Sequence, residues 1–417
     1  MSSSHTESNG LKWLMFILSA LFYFYGFLLQ VSSSVMVPEL MHAFHADGSQ
    51  VGNLSAFFFY AYAIMQIPVG VLLDRFGSRK LLTAAALISA AGCAVFAMAD
   101  HLLLAQVGRT LIGFGASFAA VGCLNIAATH FPAKRFALLT GVMVGLGMVG
   151  AIAGNAPLAW LINHIHWRNT MLSLGAAGVV LAVLMGVFIR DIHNPHATEG
   201  ETQNLLAGIK YIVKKPASWL VALYGGLMFA PTTAFASLWG TSFLIAQYDI
   251  TRPHAAALNS IIFWGWLVAS PVVGIISDKC GRRMPFLWMA SLGVLLCLCG
   301  IIYASLSMLT MCIVLFFFGF LSAGFLPSFA VIKETNPVLF SGTAIGFMNT
   351  LNMASGAVLQ PGIGEILDQH WQGAISHGVH VFSHHSYVLA LSTLTGCAVL
   401  SILLLPFIKE TYGRSSA

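Results

Sequence analysis

The sequence predicts an all-α membrane protein whose twelve membrane-spanning helices form two pseudo-symmetric six-helix halves. Of its 417 residues, 58% are hydrophobic and only 8% are charged, whereas about a quarter of the residues in soluble domains are charged. The apolar runs are long and unbroken, unlike the roughly ten-residue alternating strands of a membrane β-barrel. A motif repeated at a constant distance relates the second half of the chain to the first.

The apolar runs predict twelve spans, since a helix needs about 20 apolar residues to cross a bilayer. The spans are expected at 12–37, 49–72, 81–99, 102–129, 136–162, 169–189, 217–247, 255–276, 285–304, 308–332, 340–366 and 386–408. An even number of spans places both chain ends on the same side of the membrane.

The loops predict which side that is, because Lys and Arg accumulate in cytoplasmic loops. With both ends in the cytoplasm, the outer loops hold only Arg168 and Arg252. The cytoplasmic side then holds Lys12, Arg75, Arg79, Lys80, Lys134, Arg135, Arg190, Lys210, Lys214, Lys215, Lys279, Arg282, Arg283, Lys333, Lys409 and Arg414. This distribution accounts for the net charge of +5, so no nucleic acid partner is needed to explain it.

The longest connection on the cytoplasmic side divides the chain into two halves. The expected parts are an N-terminal tail at 1–11, a first half at 12–189, a linker at 190–216, a second half at 217–408 and a C-terminal tail at 409–417. Within the linker, "NLLAGIKYIVKK" places apolar residues and lysines on opposite sides of a helix. This pattern predicts a short amphipathic helix on the membrane surface.

An internal repeat supports the two halves. The stretch "GVLLDRFGSRK" begins at Gly70 and "GIISDKCGRR" begins at Gly274, an offset of 204 residues. The matched pairs are Gly70 and Gly274, Asp74 and Asp278, Arg75 and Lys279, Gly77 and Gly281, Arg79 and Arg283, and Pro157 and Pro361. Repeated halves of this kind are typical of transporters, in which the solute passes between the halves.

The first copy resembles the signature of the major facilitator superfamily between its second and third spans. The resemblance covers the whole chain and implies that fold, with solute transport by alternating access. It also implies that Asp74 and Arg75, with Gly70, Gly77 and Arg79, form a gating latch near the start of the eleventh span. Asp278 and Arg282 are expected to form a weaker equivalent in the second half.

Arg109 is the strongest candidate for solute or proton coupling. It lies about seven residues into the fourth span, in "AQVGRTLIGFGAS", and therefore about 10 Å below the surface. A charge at that depth normally faces a polar cavity or a partner. The equivalent position in the second half is Ile313, so symmetry does not require the arginine. The alternative is an arginine that only anchors the helix.

Polar and aromatic side chains within other spans could surround the same solute, because such groups are costly in a membrane unless they are used. The candidates are Tyr25, Gln30, Asn125, Asn155, Tyr224, Trp264, Asn349, Asn352 and Gln360. Glu39 and Glu365, near the outer ends of two spans, could take up a proton or could be surface residues. Each of these residues alone could equally be a packing contact.

Finer resemblance favours bacterial importers of small solutes, including the phagosomal transporters and the anion:cation-symporter-like branch. It rests on "SAFFFYAYAIMQIPVGVLLDRFG" and "SGTAIGFMNTLNMASGAVLQPGIGEILD". The expected protein is a monomeric proton symporter of the bacterial inner membrane that imports an amino acid, nucleoside or organic acid. The alternatives are an exporter or importer of a drug or siderophore chelate, and a non-transporting receptor on the same fold.

We expect no enzyme activity, cofactor or metal site. No phosphate-binding loop and no nucleophile–base set is present, and the seven cysteines are interpreted mainly as apolar filler. An outer loop carries His370, His377, His380, His384 and His385, and the sequence leaves open whether it contacts metal.

Overall fold

The computed structural model describes residues 9–191, 200–376 and 378–412. For Asp74, Ala133, Ala137, Asp278 and residues 200–205 it describes the backbone alone. The α-helices are α1 Asn9–Val31, α2 Val37–Phe44, α3 Gly48–Met65, α4 Pro68–Phe76, α5 Ser78–Met98, α6 Leu102–His130, α7 Ala133–Ala153, α8 Ala156–Ile165, α9 Trp167–Phe188, α10 Gly200–Lys214, α11 Pro216–Pro231, α12 Gly240–Tyr248, α13 Arg252–Cys280, α14 Met284–Tyr303, α15 Met308–Ser322, α16 Pro327–Glu334, α17 Ser341–Gln369 and α18 His384–Leu404.

These helices form the twelve expected spans in the described part of the chain, and the all-α membrane fold is confirmed. Some spans are interrupted: the first by a 3₁₀ segment at Ser32–Val35 and the seventh by a π-helical segment at Thr232–Trp239. A short antiparallel hairpin, β1 Ile375–Ser376 and β2 Val379–His380, lies between the last two spans. Helix α10 lies in the linker and packs on α17 and α11.

The second and eleventh spans differ from the others in polarity. Ten segments of the described residues are long and apolar enough to cross a membrane, and neither α3 nor α17 is among them. These two helices pack closely against each other, one from each half. Their polar side chains are therefore shielded from lipid by the partner helix, which explains why a lower hydropathy is tolerated there.

The molecule has two faces at which the spans end. The basic face contains Lys80, Lys134 and Arg282 together with the start of α1 and the segment after α18, as far as the described residues extend. The opposite face contains the connections at Ala46–Asp47, Ile250–Thr251 and the β1–β2 hairpin.

Each half is packed through glycines at close helix crossings. A Cβ on Gly113 of α6 would lie 2.1 Å from the carbonyl oxygen of Phe58 on α3. In the second half, a Cβ on Gly319 of α15 would lie 1.9 Å from the carbonyl oxygen of Ile262 on α13. Both contacts are backbone against backbone, so any larger residue would separate the helices.

On the basic face, the pseudo-symmetry extends to helix capping. The Asp191 carboxylate accepts a hydrogen bond from the Arg79 backbone N–H at 2.9 Å, at the start of α5. The Glu410 carboxylate accepts from the Arg283 and Met284 backbone N–H groups at 2.8 and 3.0 Å, at the start of α14. In each half, a carboxylate after the last span thus caps the third span, where a helix N-terminus favours negative charge.

Glu410 is expected to make stability depend on pH. Burial raises its pKa, but hydrogen bonds from four backbone N–H groups outweigh burial and hold the pKa below its usual value. The carboxylate therefore contributes stability above its unfolded pKa of about 4.3, and this stability is lost as pH falls through the lower folded pKa. The melting temperature of Glu410→Gln should fall below wild type at pH 7 and approach it at pH 3. The exposed Glu365→Gln is the control, and an equal deficit of Glu410→Gln at both pH values would contradict this role.

Candidate functional site

Arg109 holds the end of the first helix at its interruption. Helix α1 ends at Val31, where the chain changes from α-helix to a 3₁₀ segment, and the carbonyl groups at such a helix end can accept from side chains. The Arg109 guanidinium donates from Nη1 to the Leu29 carbonyl at 2.9 Å and from Nη2 to the Gln30 carbonyl at 3.5 Å. These bonds, and the negative end of the helix dipole, give the arginine a definite partner inside the membrane.

The charge of Arg109 has no carboxylate partner among the described residues. The side chain is 0% exposed, and its guanidinium lies 5.3 Å from the centre of the Phe58 ring. In the part of the chain that the structure describes, Nε has no hydrogen-bond partner. The described ion pairs, Glu39 with Arg252 and Arg283 with Glu334, lie near the two faces instead. Among the described residues, the groups that face this buried cation are therefore carbonyl dipoles and an aromatic ring.

The interruption of the seventh span is held by the eleventh. The Gln360 side chain donates from Nε2 to the Thr233 carbonyl at 2.7 Å, within the π-helical segment. In return, Trp239 Nε1 donates to the Gln360 carbonyl at 3.0 Å. The Thr233 and Ser355 hydroxyl groups lie 3.2 Å apart. The seventh span is the second half's counterpart of the interrupted first span, and π-helical segments are rare and frequently occur at functional sites. This contact is therefore a second candidate site at a span interruption.

The two halves meet at Asn155, which separates α7 from α8. Asn155 Oδ1 accepts from Asn259 Nδ2 at 3.0 Å and from Ser34 Oγ at 3.3 Å. Asn259 also donates to the Ala236 carbonyl at 2.8 Å, in the π-helical segment. Asn155 and Asn259 are 0% exposed and Ser34 is 2% exposed. We call Ser34, Asn155 and Asn259 the interface amide cluster, which joins the interrupted first, fifth and seventh spans to the eighth.

Further contacts close the opposite face across the interface between the halves. Glu39 of α2 forms an ion pair with Arg252 at the start of α13. Asp368, near the end of α17, accepts from the Gly48 and Ser49 backbone N–H groups at 2.8 and 2.7 Å. With the interface amide cluster, these contacts hold the halves together on this side.

Towards the basic face, the second and eleventh spans still touch. Asn349 donates a short hydrogen bond to the Gln66 side chain, and the Thr350 hydroxyl donates to the Ala63 carbonyl at 3.3 Å. The polar contact between the halves therefore continues along this pair of spans.

The described side chains of the repeated motif bind within their own halves. Arg79 Nε donates to the Gly186 carbonyl at 2.7 Å, and the Arg75 guanidinium lies 5.3 Å from the Phe76 ring centre. In the second copy, Arg283 pairs with Glu334 at 3.1 Å, whereas the Arg282 side chain is exposed. The side chains of Asp74 and Asp278, and thus the expected latch contact, lie outside the described residues. Gly77 has φ +83° and Gly70 has open space around it.

Two predicted candidates, Tyr25 and Tyr224, form hydrogen bonds within their own half. The Tyr25 hydroxyl donates to the Leu174 carbonyl at 2.9 Å, and the Tyr224 hydroxyl donates to the Leu287 carbonyl at 3.1 Å. Both therefore join neighbouring spans. Trp264 is 49% exposed, whereas Trp266 is 4% exposed and packs against Phe229.

The remaining predicted site residues differ in how deeply they are buried and in their hydrogen-bond partners. Gln30 is 4% exposed and contributes its carbonyl to Arg109. Asn352 is buried with Oδ1 unpartnered, and Asn125 is half-buried on α6. Glu365 is exposed and accepts from Gln369 at 3.0 Å.

A cavity of about 920 Å³ opens on the opposite face and is lined by both halves. Its walls include His42 and Arg168 from the first half and His380, Phe382 and His384 from the second. His380 stacks on Trp371 with ring centres 3.8 Å apart. Among the described residues no cluster suited to a metal ion is found, and His377 lies outside them.

The sequence interpretation missed Asn259, Gln66 and Asp368. Asn259 and Gln66 are polar residues within predicted spans, so the rule that selected Asn155 and Asn349 could have found them. Asp368 had no such signal, because its role comes from capping the N-terminus of α3. That helix belongs to the other half, and the sequence does not show that the two meet.

A fold of two six-span halves, joined by buried polar side chains, defines a membrane transporter rather than an enzyme. A model of the Major Facilitator Superfamily matches residues 14–361 and 227–414, and the chain belongs to that family. It is 24% identical over 343 residues to the lysosomal dipeptide transporter MFSD1 of Danio rerio, covering 76% of this chain and 72% of the relative.

Other relatives are similar over more of the chain. The probable galactarate/D-glucarate transporter GudP of Escherichia coli is 24% identical over 428 residues, covering 91% of this chain and 92% of the relative. The crystal structure of the nucleoside transporter NupG (D323A mutant) has a TM-score of 0.75 and 14% identity, covering 95% of this chain and 99% of that one. This structural likeness supports the shared fold.

Proposed function

We propose that this protein is a secondary transporter that imports a small organic anion by alternating access. The observation that carries the proposal is the buried Arg109 guanidinium, which no described acidic side chain neutralises. A fixed positive charge in a low-dielectric region favours an anion over a neutral or cationic solute.

The relatives support the same solute class. GudP is named for galactarate and D-glucarate, and MFSD1 is named for dipeptides. All of these solutes carry at least one carboxylate together with further hydrogen-bonding groups. A carboxylate suits an arginine, and buried amides such as Asn352 can recognise the remaining polar groups.

The arrangement of charges supports an inner-membrane protein with its basic face in the cytoplasm, as the Lys and Arg distribution predicts. In this orientation, the ion pair of Glu39 with Arg252, the Asp368 contact and the interface amide cluster lie on the outer side. The structure then corresponds to a state closed to the outside. We propose that rocking of the two halves alternates this state with one closed at the repeated motif.

Proton coupling is proposed through the carboxylates on the outer side. Protonation of Glu39 would remove its ion pair with Arg252 and so weaken closure of that side. External acid would then favour the state that accepts solute from outside, which is the direction required for proton-driven import.

Uptake by purified protein in liposomes tests this function directly. Galactarate, D-glucarate, a hexuronate, a dipeptide and a nucleoside would be compared under an inward proton gradient, with the gradient collapsed as the control. We expect concentrative uptake of one or more of the carboxylates and none of the nucleoside. Uptake of the neutral nucleoside alone would contradict the anion assignment, and gradient-driven efflux would contradict import.

Asp74→Asn tests the proposed latch on the basic face. By its resemblance to the family motif, Asp74 stabilises the state open to the outside, and removing its charge should lower the uptake rate about tenfold. Asp278→Asn, the matching change in the second half, should have a smaller effect. Initial rates would be measured for protein whose melting temperature is unchanged. Equal rates for Asp74→Asn and wild type would argue against the latch.

A further inference from the structure

The carboxylate of Asp368 lies where two helices from different halves meet on the opposite face. It is near the C-terminal end of α17, and both of its oxygens are used: Oδ1 accepts from Gly48 N at 2.8 Å and Oδ2 accepts from Ser49 N at 2.7 Å. Charge-assisted bonds of this kind are stronger than neutral ones, and a helix N-terminus favours a negative charge.

The backbone N–H groups in the first turn of α3 bind acceptors from both halves of the molecule. The Gln50 N–H donates to Asp47 Oδ1 at 2.8 Å, and the Gln50 side chain accepts from the Asp47 N–H at 3.2 Å. Asp47 belongs to the same half as α3 and forms an ordinary capping box. The N–H groups of Gly48 and Ser49 depend instead on Asp368 from the other half, so α3 is fully capped only when this side is closed.

The contact is tight as well as charged. A Cβ on Gly364 would lie 2.2 Å from the Gly48 carbonyl oxygen. The two backbones therefore touch directly at the level of Asp368. Separation of the halves by even one or two ångströms would stretch both hydrogen bonds beyond their useful length.

We propose that Asp368 is a positioning residue for transport, holding closed the side on which solute enters, and that it acts as a mirror image of Asp74. The second and eleventh spans run antiparallel, so each has its N-terminus beside the other's C-terminal end. Asp368 of the second half caps the second span at the opposite face. At the basic face, the resemblance to the family motif implies that Asp74, in the last turn of the second span, lies near the start of the eleventh. Each carboxylate favours closure of its own face, and alternating access requires that one contact break as the other forms.

This inference rests on the proposed alternating access, so its test measures conformation rather than uptake. Cysteines for spin labels would replace Asp100 and Ser305, in loops of the two halves on the opposite face, in a protein lacking its seven native cysteines. A second pair at Lys134 and Leu339 would report on the basic face. Distance distributions would be recorded without solute.

In Asp368→Asn the population open on the opposite face should rise about tenfold, and the basic-face pair should shorten in the same molecules. Asp47→Asn is the matched control, because it weakens a cap of the same helix without crossing between halves, and it should leave both distributions unchanged. Asp368→Glu should restore much of the closed population. Asp368→Ser provides a second neutral variant where the asparagine protein is poorly folded.

The double variant Asp368→Asn with Asp74→Asn gives the sharpest outcome. If the two contacts oppose each other, its distributions should return towards those of wild type. Unchanged distributions in Asp368→Asn, with a shift in Asp74→Asn, would overturn the role of Asp368 and leave the proposed function intact. If each spin-label pair instead gave one unchanged distance in every variant, both with and without solute, alternating access itself would be contradicted.

Discussion

Replacing Arg109 by alanine is expected to lower kcat/KM for solute uptake by about 100-fold or more. The change removes a buried cation together with its hydrogen bonds to the Leu29 and Gln30 carbonyls, although the Leu29 carbonyl keeps the hydrogen bond that it accepts from the Ser32 hydroxyl. Leaving a buried acceptor without its donor costs about 1–3 kcal/mol. Arg109→Lys keeps the charge but concentrates it on one nitrogen, and it should retain more activity than alanine. Uptake kinetics and melting temperature would be measured together.

Arg168 supplies a matched control for this experiment. Its guanidinium also donates to two backbone carbonyls, those of Ala97 and Ala99 at 2.8 and 2.7 Å, and it stacks on Trp167. It lies at the start of α9 on the opposite face, and its hydrogen bonds go to the end of the third span rather than to the interrupted first span. Arg168→Ala should therefore reduce stability with little change in KM. If Arg109→Ala folded and transported within threefold of wild type, Arg109 would be only an anchor.

Gly52→Ala is expected to have the second largest effect, because it would separate the two halves where their backbones are in direct contact. A Cβ on Gly52 would lie 2.4 Å from the Gln360 carbonyl oxygen and 2.8 Å from Pro361 Cα. These atoms are backbone and cannot rotate away. Overpacking of this kind costs about 1–3 kcal/mol, so uptake should fall roughly 10- to 100-fold as the closed state becomes harder to reach.

The control for Gly52 is Gly362, which lies on the partner helix α17, where an added Cβ would meet nothing within 4 Å. Gly362→Ala should be neutral or slightly stabilising, since alanine favours helix by up to about 1 kcal/mol. Initial uptake rates and melting temperatures of both variants would be compared. Equal rates for the two would show that closure at Gly52 does not limit transport.

The fold was predictable from the sequence because its determinants are local or repeated. Long apolar runs place the spans, and the 204-residue offset between Gly70 and Gly274 reveals the two halves. The interruptions were not predictable in the same way. The 3₁₀ segment at Ser32–Val35 and the π-helical segment at Thr232–Trp239 are held by Arg109 and Gln360, residues distant in sequence.

The candidate site could be predicted only in part, because it too depends on contacts between residues that are distant in the sequence. Polarity within an apolar span singles out Asn155, Asn349 and Gln360, but it does not give the direction in which a side chain points. Tyr224 therefore looks like a solute contact in sequence, while its hydroxyl binds Leu287 and joins two spans. Asp368 lies at a helix end, where carboxylates are common, and only the packing of α17 on α3 gives it a partner from the other half.

The interface amide cluster has a consequence for how the two halves separate on the opposite face. Separation of the halves would pull Asn259 away from Asn155 and leave hydrogen-bonding groups unpaired in a buried region. Each such group costs free energy unless a replacement partner arrives. Water is the available replacement, so the gap must wet as it widens. The opposite face therefore opens as a hydration step, and in the proposed import the solute would follow water into a pathway whose polar groups are already solvated.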